Sequence, residues 1–334
     1  MSTPTIKPEP TADAQANNIA VASPEAISRA VKLLRAGQVI GLPTETVYGL
    51  AGDGLNPAAL ARIFEVKQRP LFDPLILHFA DMAGAFALAE QVPVAARELA
   101  GIFWPGPLTL VLRKMLQVPD LATSGLPHVA LRVPAHPVAQ ALLRAFGGPL
   151  AAPSANRFGR ISPTDAQAVQ TELGDAVPLI LDGGPCAVGL ESTVLLISEN
   201  QPVLLRAGGV PLEEIEKVIG PVQRATPVDD RPQAPGQLKH HYAPRKPFRL
   251  VDSLAEIPSR ADVGWLAFGP RNGDFPGVVE NISPAGDFWE AATHFFRALR
   301  ALDDNPRVSE LYAVPLPAKG LGRAMNERLE RAAG

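Results

Sequence analysis

The run Gly41-Leu42-Pro43-Thr44-Glu45-Thr46-Val47-Tyr48-Gly49-Leu50 sets two threonines, a glutamate and a tyrosine among apolar residues. Hydroxyls and a carboxylate so placed can orient a small polar ligand, since a hydroxyl buried without a partner is costly. A hydrogen-bonded turn accounts for the same residues. Further on, Lys67-Gln68-Arg69 is followed by Pro70, Asp73 and Pro74. A planar guanidinium and a mobile ammonium together grip phosphate. Cations near a helix C-terminus also answer the macrodipole, for about 0.3–1 kcal/mol, and Asp73 can cap or pair with either of them.

Two further residues stand out because their neighbours are apolar. His78 closes the run Pro74-Leu75-Ile76-Leu77-His78, where a satisfied core histidine and a substrate contact are both open readings. Arg132, between Leu131 and Val133, needs either a structural carboxylate or an anionic ligand. The small-residue segment Ala151-Ala152-Pro153-Ser154-Ala155-Asn156 lets a ligand approach the backbone, and Ser154 and Asn156 add donors and acceptors. Ser162-Pro163-Thr164 reads as a helix start, whose free N–H groups suit phosphate or are simply capped. Glu191-Ser192-Thr193-Val194 precedes an apolar strand. Arg206 ends another, before Gly208-Gly209, either as a phosphate contact or as a solvated charge. His240-His241-Tyr242 adds two adjacent histidines, a spacing that defines no metal site.

These residues are carried by an alternating pattern of helices and strands. Ser23-Pro24 opens a helix that Gly37 stops, and Asn56-Pro57 opens another ending near Lys67. Val39–Leu42, Leu75–Phe79, Leu108–Arg113, Val129–Val133, Leu179–Leu181, Val194–Ile197 and Val203–Arg206 read as strands. Helices are expected at Val94–Phe103, Pro137–Phe146 and Leu212–Ile219. The pattern implies a disordered leader over residues 1–22, an α/β domain over 23–220, a Pro- and Gln-rich linker over 221–245 and a small α/β domain over 246–334. In the last of these, Phe248–Val251, Val263–Phe268 and Tyr312–Val314 read as strands, and Phe288–Leu302 as an amphipathic helix.

Composition excludes several classes. Thirty-one Lys and Arg against 34 Asp and Glu give a net charge of -3, so no global positive field attracts nucleic acid. Cys186 is the single cysteine, which rules out an intrachain disulfide or a cysteine zinc cluster and fits a reducing cytoplasm. No run approaches the roughly 20 apolar residues that span a bilayer, so a soluble protein without a membrane partner is expected. The Walker phosphate loop, the dinucleotide glycine fingerprint, the nucleophile elbow and the His-Glu-x-x-His zinc motif are all missing.

Taken together, Pro43-Thr44-Glu45-Thr46-Val47-Tyr48-Gly49-Leu50, Lys67-x-Arg69-Pro70, Pro74-Leu75-Ile76-Leu77-His78, Trp104-Pro105-Gly106-Pro107-Leu108-Thr109, Arg132-Val133-Pro134, Pro153-Ser154-Ala155-Asn156 and Glu191-Ser192-Thr193-Val194 resemble the YrdC-like threonylcarbamoyl-adenylate synthases. The likeness covers about Ser23 to Gly220, and the linker with the small domain is similar to the longer, Sua-type branch. The resemblance implies a twisted, open, mixed sheet around a concave cavity, with a smaller Rossmann-like α/β domain at the C-terminus. It also implies that L-threonine, bicarbonate and ATP, with magnesium, are joined into threonylcarbamoyl-AMP and diphosphate, by a nucleotidyl transfer that begins a tRNA modification beside the anticodon.

Carried over by position, Lys67, Arg69, Ser154 and Asn156 match the catalytic signature, and Thr46, His78, Arg132 and Ser192 the threonine site. Asp73, Ser162, Arg206, His241 and Tyr242 join the signature residues as ATP contacts, with His241 and Tyr242 in a lid. Asp73 departs from the Asn of many relatives, and an acid facing phosphates repels them unless paired or bridged by metal. The implied partner is a downstream threonylcarbamoyl-transferase complex acting on tRNA, with weak tRNA contact at most. Two other functions fit less well. A carbamoyl-adenylate-forming carbamoyltransferase would need zinc-finger and acylphosphatase-like modules for which this chain has no room. A non-catalytic RNA-binding module would need interleaved basic and aromatic residues.

Overall fold

The structure, a computed structural model, describes residues 18–198, 201–225, 241–271 and 273–334. In chain order its elements are β1 (Ile19–Val21), α1 (Pro24–Arg35), β2 (Ile40–Leu42), β3 (Gly49–Asp53), α2 (Pro57–Lys67), β4 (Ile76–His78), α3 (Met82–Phe86), α4 (Val94–Phe103), β5 (Leu108–Arg113), α5 (Asp120–Thr123), β6 (His128–Arg132), α6 (Pro137–Phe146) and β7 (Leu150–Ala151). There follow α7 (Ala166–Leu173), β8 (Ile180–Asp182), β9 (Thr193–Leu196), β10 (Val203–Arg206), α8 (Leu212–Ile219), β11 (Gln223–Arg224), β12 (Phe248–Leu250), β13 (Val263–Ala267), β14 (Val278–Asn281), α9 (Phe288–Asp304), β15 (Glu310–Ala313) and α10 (Leu321–Ala333).

Strands β1 to β11 form one 11-stranded mixed sheet in the order β1-β8-β2-β3-β7-β4-β6-β5-β9-β10-β11. Its helices start as the local chemistry dictates. The Ser23 hydroxyl accepts from the Ala26 amide, and the Asn56 side chain accepts from the Ala58 amide. Each helix then has proline in its first turn. Helix α2 ends on Gln68 in the left-handed conformation, which turns the chain so that Arg69 leaves the helix axis. The inner strands are mostly buried and apolar, as a sheet covered by helices requires, while the edge strands β1 and β11 are partly or wholly exposed.

The second sheet is all-parallel, in the order β12-β15-β13-β14. Helix α9 packs on β13 and β14, and α10 on β12 and on α9. Phe295, Phe296, Leu299 and Leu302 of α9 are buried, and they continue the hydrophobic core that runs under the large sheet.

Several expectations need correction. The leader was read as extending to residue 22, but Ile19–Val21 form β1, paired in parallel with β8; residues 1–17 lie outside the described ones. The linker was read as starting at 221, but Gln223–Arg224 pair with β10. Residues 226–240 lie outside the described ones, and His241–Arg245 are ordered against the rest of the molecule. The helix expected from Ser162 starts later, capped by Asp165, whose carboxylate accepts from the Ala168 amide. Strand β3 escaped notice because Gly49-Leu50-Ala51-Gly52-Asp53 lacks branched residues, and its pairing with β2 and β7 outweighs that weak propensity.

Candidate active site

Strands β4, β6 and β10 each end, at their carboxyl ends, in a basic residue: His78, Arg132 and Arg206. His78 and Arg132 are register partners in the parallel pair β4–β6. Carboxyl ends of strands are where open α/β sheets bind ligands. A recess opens there, lined by Thr46, Arg69, His78, Arg132, Ser154, Ser192, Arg206, His241 and Tyr242 of the residues read from sequence, and by Glu191. Nine of the expected positions therefore meet in one place. Lys67, Asp73, Asn156 and Ser162 are buried just behind the wall and do not line it.

The threonine-rich turn is fixed by its own hydroxyls. Thr44 Oγ1 donates to the Val47 carbonyl at 2.6 Å, so it accepts from Thr46 Oγ1 at 2.8 Å. Arg132 Nε donates to the Gly106 carbonyl, and its Nη2 meets Glu45 Oε1 at 2.7 Å. Both open readings of Arg132 thus converge, because it has a structural carboxylate and still faces the recess. His78 Nδ1 lies 3.2 Å from the Ile76 carbonyl, an arrangement that places the proton on Nδ1. Burial, helped by the charge of Arg132, pushes its pKa down to about 3, so the ring is neutral at pH 7.

Arg206 holds the Ser192 carbonyl through Nε and Nη2 and the Ser192 hydroxyl through Nη2 at 3.2 Å. Ser192 Oγ is in turn 2.7 Å from Thr109 Oγ1. This close approach requires Gly208, where an added Cβ would stand 2.3 Å from the Glu191 carbonyl oxygen. Arg69 Nη2 pairs with Asp73 Oδ2 at 2.9 Å, and Nε donates to the Asp73 carbonyl. Burial alone would lower Arg69 and raise Asp73, and their contact opposes both shifts. Asp73, read as an ATP contact, is fully buried as the partner of Arg69.

Lys67, expected as a phosphate grip, ties down the small-residue loop. Its Nζ donates to the Ser154 carbonyl and, at 2.6 Å, to the Asn156 carbonyl. Burial, and then the charge of Arg69, hold its pKa well below the usual lysine range. Asn156 Nδ2 donates to the carbonyls of Arg157 and Arg160, so this side chain also shapes the loop. Ser162, expected at ATP, donates to Glu191 Oε1 at 2.5 Å.

His241 and Tyr242 close the recess from the far side of the linker. The Ala243 amide donates to the Gly159 carbonyl at 2.8 Å, pinning the segment. Tyr242 is fully buried with φ 68°, a left-handed conformation that costs a non-glycine residue about 1–3 kcal/mol and is characteristic of functional sites. The His241 ring stands edge-on to Tyr242, at 4.1 Å between centroids, and burial pushes its pKa down to about 3.

Three residues of the site were not singled out from sequence. Glu45 and Glu191 appeared only as members of motifs, and Arg328 of α10 was not considered. Arg328 Nε meets Glu191 Oε2 at 2.7 Å. Its signal was a cation within the stripe Leu321, Ala324, Met325, Leu329, Ala332, all buried at helical spacing. Among the described residues around the recess, the buried arginines Arg69, Arg132, Arg206 and Arg328 outnumber the buried carboxylates Glu45, Asp73 and Glu191. Such a balance suits a polyanion.

Comparison with known proteins extends this picture. Residues 32–208 match the Sua5_yciO_yrdC family, described as "Telomere recombination". Residues 210–334 match the "Threonylcarbamoyl-AMP synthase, C-terminal domain". The chain is 41% identical over 317 residues to the threonylcarbamoyl-AMP synthase of Pyrococcus abyssi, covering 91% of this chain and 93% of that one. It is 39% identical over 322 residues to the synthase of Bacillus subtilis, covering 92% and 93%. A crystal structure of P. abyssi Sua5 complexed with L-threonine superimposes with a TM-score of 0.86 at 38% identity, over 95% of this chain and 96% of that one.

Proposed function

This chain belongs to the Sua5, YciO and YrdC family with a threonylcarbamoyl-AMP synthase C-terminal domain, and from that premise we propose how its recess makes threonylcarbamoyl-AMP. The reaction joins L-threonine, bicarbonate and ATP and releases diphosphate. In detail it is a nucleotidyl transfer. The threonine amine adds to the carbon of bicarbonate-derived carbon dioxide and loses a proton, giving a carbamate. A carbamate oxygen then attacks the α-phosphorus of ATP, the bond from that phosphorus to the α,β-bridging oxygen breaks, and the β- and γ-phosphates leave together as diphosphate. Both steps crowd anions together, so positioning and electrostatics carry most of the catalysis.

The observation that carries this reading is the convergence of Arg69, Arg132, Arg206, His78, Ser154 and Ser192 on one recess. Threonine lies at the end formed by Thr46, His78, Arg132 and Ser192, with its carboxylate toward Arg132. Neutral His78 offers a ring nitrogen without adding charge. The nucleotide phosphates lie toward Arg69, Ser154 and Arg206, on the loop that Lys67 and Asn156 hold in shape. The Arg69–Asp73 pair fixes the Arg69 fork, and Ser162 acts through Glu191. His241 and Tyr242 cover the nucleotide as a lid.

Neither histidine of the wall is a strong base, since burial holds both near pKa 3. The amine proton therefore leaves to solvent or to a substrate oxygen. No group of three His, Cys, Asp or Glu side chains suited to a metal occurs among the described residues. Magnesium enters as part of the MgATP substrate, held by phosphate oxygens and water.

Cys186 is a buried free thiol, which supports a reducing, cytoplasmic setting. Among the described residues no helix is long and apolar enough to cross a membrane. Threonylcarbamoyl-AMP is a reactive mixed anhydride, so a transferase complex acting on tRNA is the expected recipient, with any tRNA contact here weak.

The test is diphosphate release from the purified chain with MgATP. Release should require threonine and bicarbonate together. Release indifferent to threonine defeats the reading, turnover of carbamoyl phosphate would favour the carbamoyltransferase, and tight salt-dependent RNA binding without release would favour the RNA-binding module.

A further inference from the structure

We infer that Arg328, delivered by α10 from the second domain, is a positioning residue of the ATP pocket: it cancels the charge of Glu191 on the pocket wall and backs the Tyr242 ring. The inference rests on the reading that ATP phosphates lie beside Arg69 and Arg206.

Glu191 stands on the recess wall, next in sequence to Ser192 and close to Arg206. A carboxylate there would repel a triphosphate. Its Oε1 accepts from Ser162 at 2.5 Å and its Oε2 from Arg328 Nε at 2.7 Å, so both oxygens are engaged by residues that do not line the recess. Arg328 is fully buried. Its Nη1 donates to the Ala207 carbonyl at 3.0 Å and to the Ala324 carbonyl of its own helix at 2.8 Å.

The same helical turn sends Glu327 to accept from the Ala207 amide at 3.2 Å. Two adjacent residues of α10 therefore clasp the backbone just after Arg206. The Arg328 guanidinium also lies 5.4 Å from the Tyr242 ring centroid, a cation–π contact. One side chain thus reaches the Glu191 wall, the Arg206 strand end and the lid.

A merely structural pair would be served as well by apolar residues of the same volume, since desolvating two ions offsets most of their attraction. What distinguishes this pair is its place on an anion-binding wall, where the net charge of Glu191 plus Arg328 sets the local potential. The two single variants must then act in opposite directions on ATP.

The experiment measures diphosphate release by the full chain at varied MgATP and, separately, at varied threonine. Arg328→Met should raise KM for ATP at least tenfold while changing KM for threonine less than twofold. Glu191→Gln, which leaves the cation uncancelled, should lower KM for ATP about threefold or more. The double variant should return to within about threefold of the parent. If Arg328→Met fails to fold, the downward shift in Glu191→Gln decides alone. Single variants that both weaken ATP, or that move both substrates equally, overturn the inference. Wild-type release that ignores threonine or bicarbonate instead overturns the reading on which it rests.

Discussion

The two sheets bury charge in different ways. Around the large sheet, Glu45, Lys67, Arg69, Asp73, Arg132, Glu191 and Arg206 are all buried and grouped about one recess. In the small domain from β12 onward, the buried charged side chains among the described residues are Asp303 and Arg328. Each also reaches beyond that domain. Asp303 accepts from Arg245 Nε at 3.0 Å and lies 3.6 Å from Arg160 Nη2, and Arg328 reaches Glu191. A domain built only for its own stability would keep its charges in water. This one spends both where it meets the catalytic half, as a clamp would.

The largest effect should follow from breaking the charge grouping itself. Arg132→Met leaves Glu45 buried and unpaired, which should cost about 3–5 kcal/mol of stability and lower kcat/KM for threonine at least about 100-fold. Denaturant unfolding and diphosphate kinetics read the two effects. A variant with wild-type kinetics would reduce Arg132 to a structural role.

Acid should come next, and it should act first on the catalytic half. His78 and His241 are held neutral, with pKa near 3 against 6.5 when unfolded. The unfolded chain therefore binds protons that the folded one refuses. Their contribution is fully present above pH 6.5 and is lost as pH falls toward 3, by up to about 1.4 kcal/mol per pH unit for each ring. Replacing His241 with Gln should flatten the dependence of Tm on pH over that window. An unchanged slope would mean that the ring is already solvated.

The smallest effect compares two glycines. Alanine at Gly208 meets the backbone of Glu191, Ser192 and Thr193 at 2.3–2.4 Å, so the wall itself must shift. Alanine at Gly264 meets only side chains, Val308 at 2.9 Å and Leu302 at 3.3 Å, so the backbone need not move. Both should cost about 1–3 kcal/mol. Gly208→Ala alone should also lower kcat/KM, by roughly tenfold for a loss of about 1.4 kcal/mol in transition-state binding. A kinetic defect in Gly264→Ala would blur the distinction between the halves.

Much of the fold was legible because strands with branched residues and helices with capped, proline-marked starts follow local rules. The α2 start at Asn56-Pro57 and the β5 run Leu108–Arg113 are examples. Helix α10 escaped because Arg323, Glu327, Glu330 and Arg331 interrupt its sequence and hide a buried stripe containing Arg328. Within the site, residues that face the recess were readable by type. What each holds was not, because the partners are distant in sequence. Lys67 answers to carbonyls 87 and 89 residues away, and Glu191 to a side chain 137 residues away. By contrast, the Arg69–Asp73 pair was among the open readings because four residues separate them.

That longest connection also bears on when the molecule becomes competent. Synthesis proceeds from Glu191 to Arg328 only after β12, β13, β14 and β15 have emerged between them. Until α10 follows, Glu191 has the Ser162 hydroxyl and the nearby charge of Arg206 but not its Arg328 partner. A chain ended before α10 would lack the cation that meets this acid on the recess wall.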